Sequence, residues 1–506
     1  MDKPNQISQS ERLYTAEQTR RLDSRTIRDF GIDGFTLMEL AASGATGKIS
    51  QLHPEGSAGL YLCGKGNNAG DAIAVARYLS NQSHHKIYLL LLFGNDSLSE
   101  DTQKNLNLLM KCKEGGADIT LVNSSDDASI KEIDYIVEGL FGTGLKGELK
   151  SRVSDFITKI NSLKRPVYSM DLPSGLNADT GDIHGTAIRA SVTYTFGTNK
   201  IGFYLNKADH YTGRVELIPL PFPNHLYEEE KARLIESRQT DSQTGVQRHA
   251  NHKYDGGVVH IVAGSEGLTG AAILAAKSAW KQGAGAVFLY TPHPLLPVYE
   301  LNLPTIIKIS VGDDSDTFFK QNHCDTILKN LEKKPGTLLI GPGIGRDSDT
   351  GKLVTHLLDS HGGTSVIDAD ALSFFDEFKK FDKAKRSRWV LTPHIGEAHS
   401  YLGGNFSNDS DRLDWACDFA DTYDTTVLLK GDPLYVAHPH TPPYISGYKT
   451  DMFNRAGFGD VLAGSIATKI SITNDKEAAI MESLLQGYHT FKNYSSTKPF
   501  SPEDLI

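Results

Sequence analysis

The feature that most constrains the fold of this chain occurs twice: a short apolar strand runs into a glycine-containing loop and then into a helix. Residues 59–63 precede the loop GKGNNAGD, and residues 258–262 precede the loop AGSEGLTG. After each of these units, further apolar strands alternate with helical stretches. This alternation is typical of parallel βαβ units with helices on both faces of the sheet. We therefore predict an α/β protein with two three-layer α/β/α domains.

A polar stretch separates the two halves. Residues 219–252 begin rich in proline and then become charged, with little apolar periodicity. Such a composition is typical of an interdomain linker. We predict a first domain at residues 1–222, a linker at 223–248 with a short helix at 228–236, and a second domain at 249–506.

Charge, apolar runs and cysteines exclude several classes of protein. The 52 lysines and arginines against 62 aspartates and glutamates give a net charge of -10, which disfavours a nucleic-acid partner. The N-terminus has no signal-peptide pattern and no apolar run is long enough to cross a membrane. Four scattered cysteines indicate neither a zinc site nor a disulfide framework. We therefore expect a cytoplasmic protein that binds small molecules.

Three loops of the first half carry polar groups at predicted strand ends. The first, GKGNNAGD, offers backbone amides at a helix N-terminus together with Asn67, Asn68 and Asp71, which could hold a ribose, an amide or a monovalent cation. It is neither a dinucleotide-binding G-x-G-x-x-G loop nor a P-loop. By itself, the same loop could be a tight turn in which Asp71 caps the helix.

The other two loops are DLPSGLNADTG, residues 171–181, and EGLFGTGLKGE, residues 138–148. Asp171 directly follows an apolar strand, and the carboxyl ends of parallel strands face the ligand crevice. This position suits a general base or a hydrogen-bond acceptor. Ser174 could offer its hydroxyl to an ion. The alternative for residues 171–181 is a structural proline–glycine turn.

Together, the three loops resemble the NAD(P)H-hydrate epimerase domain, whose motifs read approximately G-N-N-G-G-D, D-A-L-x-G-T-G and D-x-P-S-G-x-x-x-D-T-G. The resemblance covers about residues 12–220, includes TFGTNKIGFYL at 195–205, and implies a Rossmann-like fold with Asp171 as the base. It implies a potassium site formed by Asn68, Glu138 and Ser174. It also implies a substrate site formed by Asn67, Asn68, Ala69, Gly70, Asp71, Gly142, Thr143, Gly144, Leu145, Lys146, Gly147, Glu148 and Asp171.

Two departures from the family motifs concern this half. Glu138 stands where the family has aspartate, which predicts an altered potassium affinity. Ala69 and Ala72 stand where glycines are usual, and their side chains are expected to obstruct close approach to the backbone. These departures leave open a second reading, in which the first half is a metabolite-binding or scaffold module.

The strongest single motif of the second half is FNRAGFGDVLAGSIATKI, residues 453–470. Gly457 and Gly459 precede Asp460, which opens an amphipathic helix. Amides at such a helix start form an anion hole for a transferring phosphoryl group. An aspartate beside that hole can take a proton from an attacking hydroxyl. The alternative is an aspartate that only caps the helix.

Four other segments of the second half also follow predicted strands, so a parallel sheet would bring them into one crevice. They contain the three glycines of LLIGPGIGRD, the aspartates of VIDADAL, the histidine and glutamate of VLTPHIGEAHSYLG and the lysine of VLLKGDP. In numbers, these residues are Gly341, Gly343, Gly345, Asp368, Asp370, His394, Glu397 and Lys430.

This set resembles the ADP-dependent NAD(P)H-hydrate dehydratase domain, a relative of ribokinase-like kinases, over about residues 245–495. The resemblance implies that Asp460 is the catalytic base and that Asp368 and Asp370 order the nucleotide or a magnesium ion. Substrate contacts are implied for Ala271, Gly345, His394 and Asp460, and ADP contacts for Lys430, Gly431, Ala456, Gly457, Phe458 and Gly459. Two departures are Thr305, where the family has glutamate, and Phe458 within the glycine loop.

The order of the two halves resembles a fused repair enzyme for hydrated NADH and NADPH. The first half would interconvert the R and S hydrates, and the second would dehydrate the S form with ADP, giving NAD(P)H, AMP and phosphate. The resemblance also implies a homo-oligomer. The alternative function is an ATP-dependent small-alcohol kinase of the ribokinase type with a non-catalytic nucleotide-binding module at its N-terminus.

Overall fold

The computed structural model of the protein describes residues 8–123, 132–145, 147–236, 256–495 and 498–506. The chain forms two compact units, which divide between Arg233 and Leu234. This division lies inside the predicted linker, of which residues 237–248 are outside the described ranges. Each unit is an α/β structure built on a largely parallel sheet, so the predicted fold class is confirmed.

The first unit contains a seven-stranded parallel sheet with the strand order β4-β3-β2-β5-β6-β7-β9. Its strands are β2 (Ala58–Cys63), β3 (Lys86–Leu91), β4 (Ile119–Leu121), β5 (Tyr135–Gly139), β6 (Val167–Met170), β7 (Val192–Phe196) and β9 (Arg214–Ile218). The helices of this unit are α1 (Ala16–Arg25), α2 (Gly34–Leu52), α3 (Asn67–Gln82), α4 (Glu100–Glu114), α5 (Ser151–Ser162) and α6 (Asp209–Thr212).

Helices cover both faces of this sheet, as the alternation of side chains along β2 shows. Tyr61 and Cys63 belong to a core shared with α2, α3 and α4, whereas Leu60 and Leu62 belong to a second core shared with α5. Successive residues of a strand point to opposite faces, so an apolar run such as β2 is expected in a sheet buried on both sides.

Three short strands lie outside this sheet: β1 (Arg12–Tyr14), β8 (Asn199–Lys200) and β10 (Ala232–Ile235), whose first two residues belong to the first unit. β1 pairs in parallel with β8, and Arg12 pairs antiparallel with Arg233 of β10. The helix predicted at residues 228–236 is therefore wrong. Ala232 is completely buried, and pairing with β1 satisfies the backbone groups that a helix would otherwise satisfy internally.

Two boundaries in the first unit also differ from the prediction. The apolar spacing of about residues 15–40 predicts a single helix, but the structure has two, α1 and α2, separated by a π-helical turn at Thr26–Phe30 and by Gly31 with φ 94°. α3 begins at Asn67, so residues 67–71 form the first turn of a helix and not an open loop.

The second unit contains nine strands in the order β13-β12-β11-β14-β15-β16-β17-β18-β19. They are β11 (Val258–Val262), β12 (Ala286–Pro292), β13 (Ile307–Val311), β14 (Thr337–Ile340), β15 (Ser365–Ile367), β16 (Trp389–Leu391), β17 (Thr426–Leu429), β18 (Tyr435–Ala437) and β19 (Tyr444–Ser446). The strands from β13 to β17 are parallel, and β18 and β19 extend the sheet antiparallel.

The helices of the second unit are α7 (Thr269–Lys281), α8 (Leu296–Asn302), α9 (Cys324–Lys333), α10 (Ser348–Ser360), α11 (Phe375–Phe378), α12 (Lys383–Arg386), α13 (Ile395–Tyr401), α14 (Asp409–Tyr423), α15 (Phe458–Thr473) and α16 (Lys476–Lys492). Small residues let α7 and α15 approach closely: a Cβ on Gly464 would come within 2.3 Å of the carbonyl oxygen of Ala275. This packing holds the start of α15 close to the carboxyl ends of the parallel strands. Among the described residues, no helix is long and apolar enough to cross a membrane.

Candidate active sites

A cavity of about 880 Å³ opens in the first unit where the parallel strands β2, β5 and β6 end. α1, α2 and the first turn of α3 form one part of its wall, and the loops after β5 and β6 form the other. Its volume lies in the range typical of small-molecule sites. The residues of the predicted substrate site that line it are Asn67, Asn68, Asp71, Gly142, Thr143, Gly144, Leu145 and Asp171.

Four other predicted substrate contacts do not line the cavity: Ala69, Gly70, Gly147 and Glu148. The first turn of α3 directs only part of its surface to the cavity. Ala69 and Ala72 instead pack into the core under the helix, and Gly70 faces Met38 and Thr102. The obstruction expected from Ala69 and Ala72 is therefore wrong. Gly147 and Glu148 are exposed, and Lys146 lies outside the described residues.

Asp171 lies at the cavity wall directly after β6 and has a positive φ of 61°. Its carboxylate accepts a hydrogen bond from the ammonium of Lys200, whose side chain is fully buried, and another from the backbone N–H of Phe196 at 3.3 Å. Lys200 also donates to the hydroxyl of Thr195 at 2.7 Å. A strained backbone that holds a charged pair at a cavity is a common property of catalytic sites.

Three more carboxyl groups line the same cavity, those of Asp23, Asp71 and Asp101, and the charge of Asp171 acts on the first two. Burial raises the pKa of Asp23 on α1, and the negative charge of Asp171 raises it further. The pKa of Asp71 is raised well above its usual range, mainly by burial and then by the charges of Asp171 and Asp23. Burial and these neighbouring charges therefore favour the protonated forms of Asp23 and Asp71.

The three residues predicted to hold potassium lie together below the cavity. Ser174 donates its hydroxyl to Glu138 at 2.7 Å and its N–H to the other carboxylate oxygen at 3.0 Å. The amide nitrogen of Asn68 donates to the carbonyl of Phe141 at 2.9 Å, and the N–H of Phe141 donates to the Ser174 hydroxyl at 2.8 Å. Burial raises the pKa of Glu138, which is completely inaccessible to solvent. The side-chain oxygen of Asn68 is buried and has no hydrogen-bond partner among the residues that the structure describes.

In the second unit, the glycine loop leads directly into α15. Gly457 has φ 95°, a left-handed conformation that favours glycine, and Asp460 is the third residue of the helix. The first amides of a helix attract anions. Burial raises the pKa of Asp460 to about 7, and the charges of Asp368, Glu397 and Asp370 add to this rise against the opposing effect of Lys430.

Lys430 connects most of the predicted second-unit residues. Its ammonium donates to Asp368 at 2.8 Å, and the Thr392 hydroxyl donates to the same carboxylate oxygen at 2.7 Å. Burial opposes the charge of Lys430, but the carboxylates of Asp368 and Glu397 raise its pKa overall. Its backbone N–H donates to the carbonyl of Pro393, and Lys430 forms a β-bridge with His394.

Glu397 and His394 cap the start of α13. The His394 N–H donates to a Glu397 carboxylate oxygen at 2.8 Å, and the Glu397 N–H donates to Nδ1 of His394 at 3.2 Å. A Cβ on Gly459 would lie 3.2 Å from the ammonium of Lys430. The structure thus brings the loop before α15, the strand end at Lys430 and the start of α13 to one edge of the sheet.

Gly345 and Asp370 lie at the same edge. The N–H of Gly345 donates to Asp370 at 3.2 Å, and Arg346 donates to the other oxygen of that carboxylate at 2.8 Å. A Cβ on Gly343 would lie 3.2 Å from the Cβ of Ala271, which places the start of α7 beside this loop. The predicted crevice is thus assembled from loops after β11, β14, β15, β16 and β17.

A small cavity of about 100 Å³ lies next to Lys430. Of the predicted ADP contacts, Lys430, Gly431, Phe458 and Gly459 line it, whereas Ala456 and Gly457 do not. Most of the remaining wall is apolar, including Leu434, Val461 and Leu484. Ligand pockets usually exceed about 300 Å³, so this cavity has room for only part of a nucleotide.

Several residues at the two sites were not predicted from the sequence. Lys200 lies within the segment TFGTNKIGFYL, but no spacing rule connects it with Asp171, which is 29 positions earlier. Asp23 lies on a helix whose apolar periodicity gives no functional signal. Thr392 and Arg346 follow the carboxyl ends of strands that the sequence predicts. Their position after a strand end is the signal by which sequence reasoning could have found them.

Comparisons with known proteins find a matching family model for each half of the chain. Residues 34–202 match the family model described as YjeF-related protein N-terminus, and residues 259–499 match that of NAD(P)H-hydrate dehydratase. Relatives named bifunctional NAD(P)H-hydrate repair enzyme Nnr include that of Dictyoglomus turgidum, 32% identical over 98% of this chain and 97% of the relative. That of Moorella thermoacetica is 33% identical over 90% and 87%, respectively.

A relative of the same name from Salinibacter ruber is 30% identical over 92% of this chain and 90% of its own length. Among solved structures, the second unit is similar to the ADP/ATP-dependent NAD(P)H-hydrate dehydratase of Bacillus subtilis, co-crystallized with ATP and Mg²⁺. That similarity has 22% identity, covers 51% of this chain and 89% of the other, and has a TM-score of 0.43.

Proposed function

The chain belongs to the family of bifunctional NAD(P)H-hydrate repair enzymes, and from this premise we propose how its own residues carry out the two reactions. Its N-terminal half is an NAD(P)H-hydrate epimerase and its C-terminal half is an NAD(P)H-hydrate dehydratase. The observation that carries the most weight for the chemistry is the position of Asp460, a carboxyl with a pKa of about 7 at the start of α15.

In the N-terminal half, the substrate occupies the cavity of about 880 Å³, and Asp171 accepts a proton. The ion pair with the Lys200 ammonium fixes the direction of the Asp171 carboxylate. Epimerisation inverts C6 of the hydrated nicotinamide ring, so a hydroxyl must leave one face and return to the other, or the ring must open and close. Either route needs a proton donor as well as an acceptor.

Asp23 and Asp71 are the candidates for that donor, because burial and the charge of Asp171 favour their protonated forms. Asp23 is the better placed of the two, since it is only partly buried on the cavity wall, whereas Asp71 is enclosed in the first turn of α3. We assign proton donation to Asp23. Two carboxyl groups in different surroundings are a common way for an enzyme to run acid and base chemistry at one pH.

The oxygen atoms around Asn68 fit a potassium ion. Hard cations take oxygen ligands, and Asn68, Glu138 and Ser174 supply amide, carboxylate and hydroxyl oxygens beside the carbonyl of Phe141. The unpartnered side-chain oxygen of Asn68 is accounted for by such an ion. An ion there would offset the burial of the Glu138 charge and fix the loop after β5 at the cavity.

In the C-terminal half, Asp460 takes the proton from the C6 hydroxyl of the S hydrate. That oxygen attacks the terminal phosphorus of ADP, and AMP leaves. The amides at the start of α15 stabilise the charge on the transferring phosphoryl group, and Lys430 stabilises it from the neighbouring strand end. Phosphate then leaves C6 while a proton leaves C5, which restores the ring double bond of NAD(P)H.

For Asp368 and Asp370 the resemblance implies that they order the nucleotide or a magnesium ion, and of these two roles their contacts do not favour magnesium binding. Asp368 already accepts from Thr392 and Lys430, and Asp370 accepts from Arg346 and Gly345. Among the described residues, no group of three or more histidine, cysteine, aspartate or glutamate side chains could hold a metal ion. Magnesium usually keeps several waters and binds substrate phosphates, so it would arrive with the nucleotide.

The test is an incubation of hydrated NADH or NADPH with ADP and, in parallel, with ATP. Recovery of NAD(P)H absorbance with AMP as product supports the proposal. A stable phosphate ester of a small alcohol, formed from ATP with no recovery of absorbance, would support the ribokinase-type kinase instead. Supplying the R hydrate alone tests the epimerase half, because only epimerisation makes it available to the dehydratase. The homo-oligomer stays a prediction, which analytical ultracentrifugation would test.

A further inference from the structure

Residues 498–506 pack against the loop that precedes Asp460. Phe500 in this segment is only 4% exposed, and its ring stacks on that of Phe458 with centroids 5.6 Å apart and 22° between the planes. Phe453, Phe491 and Tyr494 surround the same ring at centroid distances between 5.0 and 6.3 Å. Phe458 is the first residue of α15 and the residue that departs from the family's glycine loop.

The same segment also closes the space beside Gly457. A Cβ on Gly457 would lie 2.9 Å from Cγ of Pro502 and 2.8 Å from a methyl group of Leu274. Gly457 has the left-handed conformation that turns the chain into α15, and neighbouring atoms hold it from two sides. The loop conformation therefore depends on residue 502 as well as on its own glycines.

The segment has internal structure of its own. Pro502–Leu505 form a 3₁₀ turn, and Asp504 accepts hydrogen bonds from the N–H of Ser501 at 2.6 Å and from its hydroxyl at 2.7 Å. Leu505 lines the small cavity that Lys430 and Gly459 also line. Thus one short, internally fixed segment contacts the anion-binding loop on one side and the cavity beside Lys430 on the other.

We propose that residues 498–506 are a positioning element of the dehydratase, which holds the phosphoryl-binding amides at the start of α15 in their reactive arrangement through the Phe458–Phe500 stack and Pro502. The proposal rests on the proposed function of that loop. Electrostatic stabilisation of a transition state requires donors that are already in place. A misplacement of about 1 Å can cost about 10²-fold in rate. The ring of Phe458 connects the loop to Phe500 in this segment.

The experiment compares Phe500→Ala and Phe500→Tyr with the parent protein in both reactions. Alanine removes the stack, so we expect the dehydratase kcat to fall at least about 10-fold, with a smaller change in the KM for ADP. Tyrosine keeps the ring and should restore most of kcat. The epimerase rate of the same molecules should not change, which provides an internal control for protein concentration and integrity.

Phe491→Ala is the matched control. The Phe491 ring contacts those of Phe453 and Phe500, so its removal weakens the same aromatic cluster. We expect a lower Tm with a nearly unchanged kcat. If Phe500→Ala does not fold, Pro502→Gly removes the contact with Gly457 and should lower kcat in the same way.

Two results would overturn the proposal. The first is a parental kcat in both Phe500→Ala and Pro502→Gly. The second is a loss of kcat in Phe491→Ala as large as that in Phe500→Ala, because kcat would then depend on the packing of the whole aromatic cluster. These results are distinguishable from a failure of the proposed function. In that case the parent protein itself would form no AMP from ADP.

Discussion

Lys200 and Asp171 form an ion pair at the wall of the N-terminal cavity, and the lysine side chain has no exposed surface. A lysine is almost never fully buried unless it is paired, because removing its charge from water costs several kcal/mol. Here the partner is a carboxylate that is 21% exposed, so substrate can reach the partner but not the lysine. In the proposed mechanism, Lys200 therefore acts through Asp171.

Lys200→Met should abolish most of the epimerase activity and leave the dehydratase activity unchanged. Without the ammonium, the Asp171 carboxylate loses the charged partner that fixes its direction. Removing one partner of a fully buried pair costs about 3–5 kcal/mol, and the exposure of Asp171 makes the expected loss of stability smaller than that. The measurement is the rate of R-to-S conversion, with circular dichroism to follow unfolding.

Lys48→Met is the matched control for that variant. Lys48 pairs with Glu216 at 3.2 Å but is half exposed, and exposed pairs contribute about 0–1 kcal/mol. We expect parental activity and stability. Full epimerase activity in Lys200→Met would exclude the lysine from the mechanism.

Asp23→Asn should lower the epimerase rate by about 10²-fold, the lower end of what a general acid contributes. Asparagine keeps the size and polarity of the side chain but cannot transfer a proton. In the parent protein, the protonated form is the active one. The rate should therefore decrease as the pH rises through the pKa of Asp23, which lies above the usual aspartate value. A pH series of the rate measures this.

A matched substitution near the same helix is Asp29→Asn. Asp29 is exposed and lies 4.0 Å from Arg25, and its loss should leave the rate unchanged. If Asp23→Asn keeps the parental rate while Asp71→Asn does not, the proton comes from Asp71.

Potassium should raise the Tm of the N-terminal half and its epimerase rate relative to choline chloride at equal ionic strength. A ligand that binds only the folded state stabilises it by about 2.7 kcal/mol at 100 times its Kd. Ser174→Ala removes one proposed ligand and should abolish the potassium-dependent part of the shift. Ser80→Ala, a buried serine on α3 that donates to the Arg77 carbonyl, should keep it. A potassium shift that survives in Ser174→Ala would contradict the proposed site.

Much of both sites could be predicted from the sequence, because parallel sheets place their strand ends at one edge. Asp171, Lys430 and Asp460 were each located from the strand or helix beside them, without knowledge of their partners. The sequence alone could not show which residues far apart in the chain contact each other. The pairing of Lys200 with Asp171 and the stacking of Phe500 on Phe458 depend on how the chain returns to the site. The helix prediction for residues 228–236 is wrong for the same reason: Ala232 and Arg233 pair with β1, and β1 is more than 200 positions away.

The dehydratase rate and the stability of the second unit should respond to pH in opposite directions through Asp460. As a base, Asp460 must be ionised, so kcat/KM should increase with pH up to about 7 and then level off. The folded protein holds this proton more tightly than the unfolded chain, in which an aspartate has a pKa near its usual value of about 3.9. Stability therefore decreases between about pH 4 and pH 7 and is constant above that range.

Asp460→Asn removes both effects. We expect a loss of at least about 10²-fold in dehydratase activity, together with a protein more stable than the parent at pH 8 and similar to it at pH 4. The difference of about three pKa units sets an upper limit of about 4 kcal/mol for the gain at pH 8, and solvent access to the site reduces it. Urea unfolding at the two pH values measures the gain. The control is Asp451→Asn, which replaces an exposed aspartate before the glycine loop.

An Asp460→Asn variant that gains no stability at pH 8 would show that Asp460 is ionised without cost in the folded protein. A pH-independent kcat/KM of the parent protein would exclude Asp460 as the base.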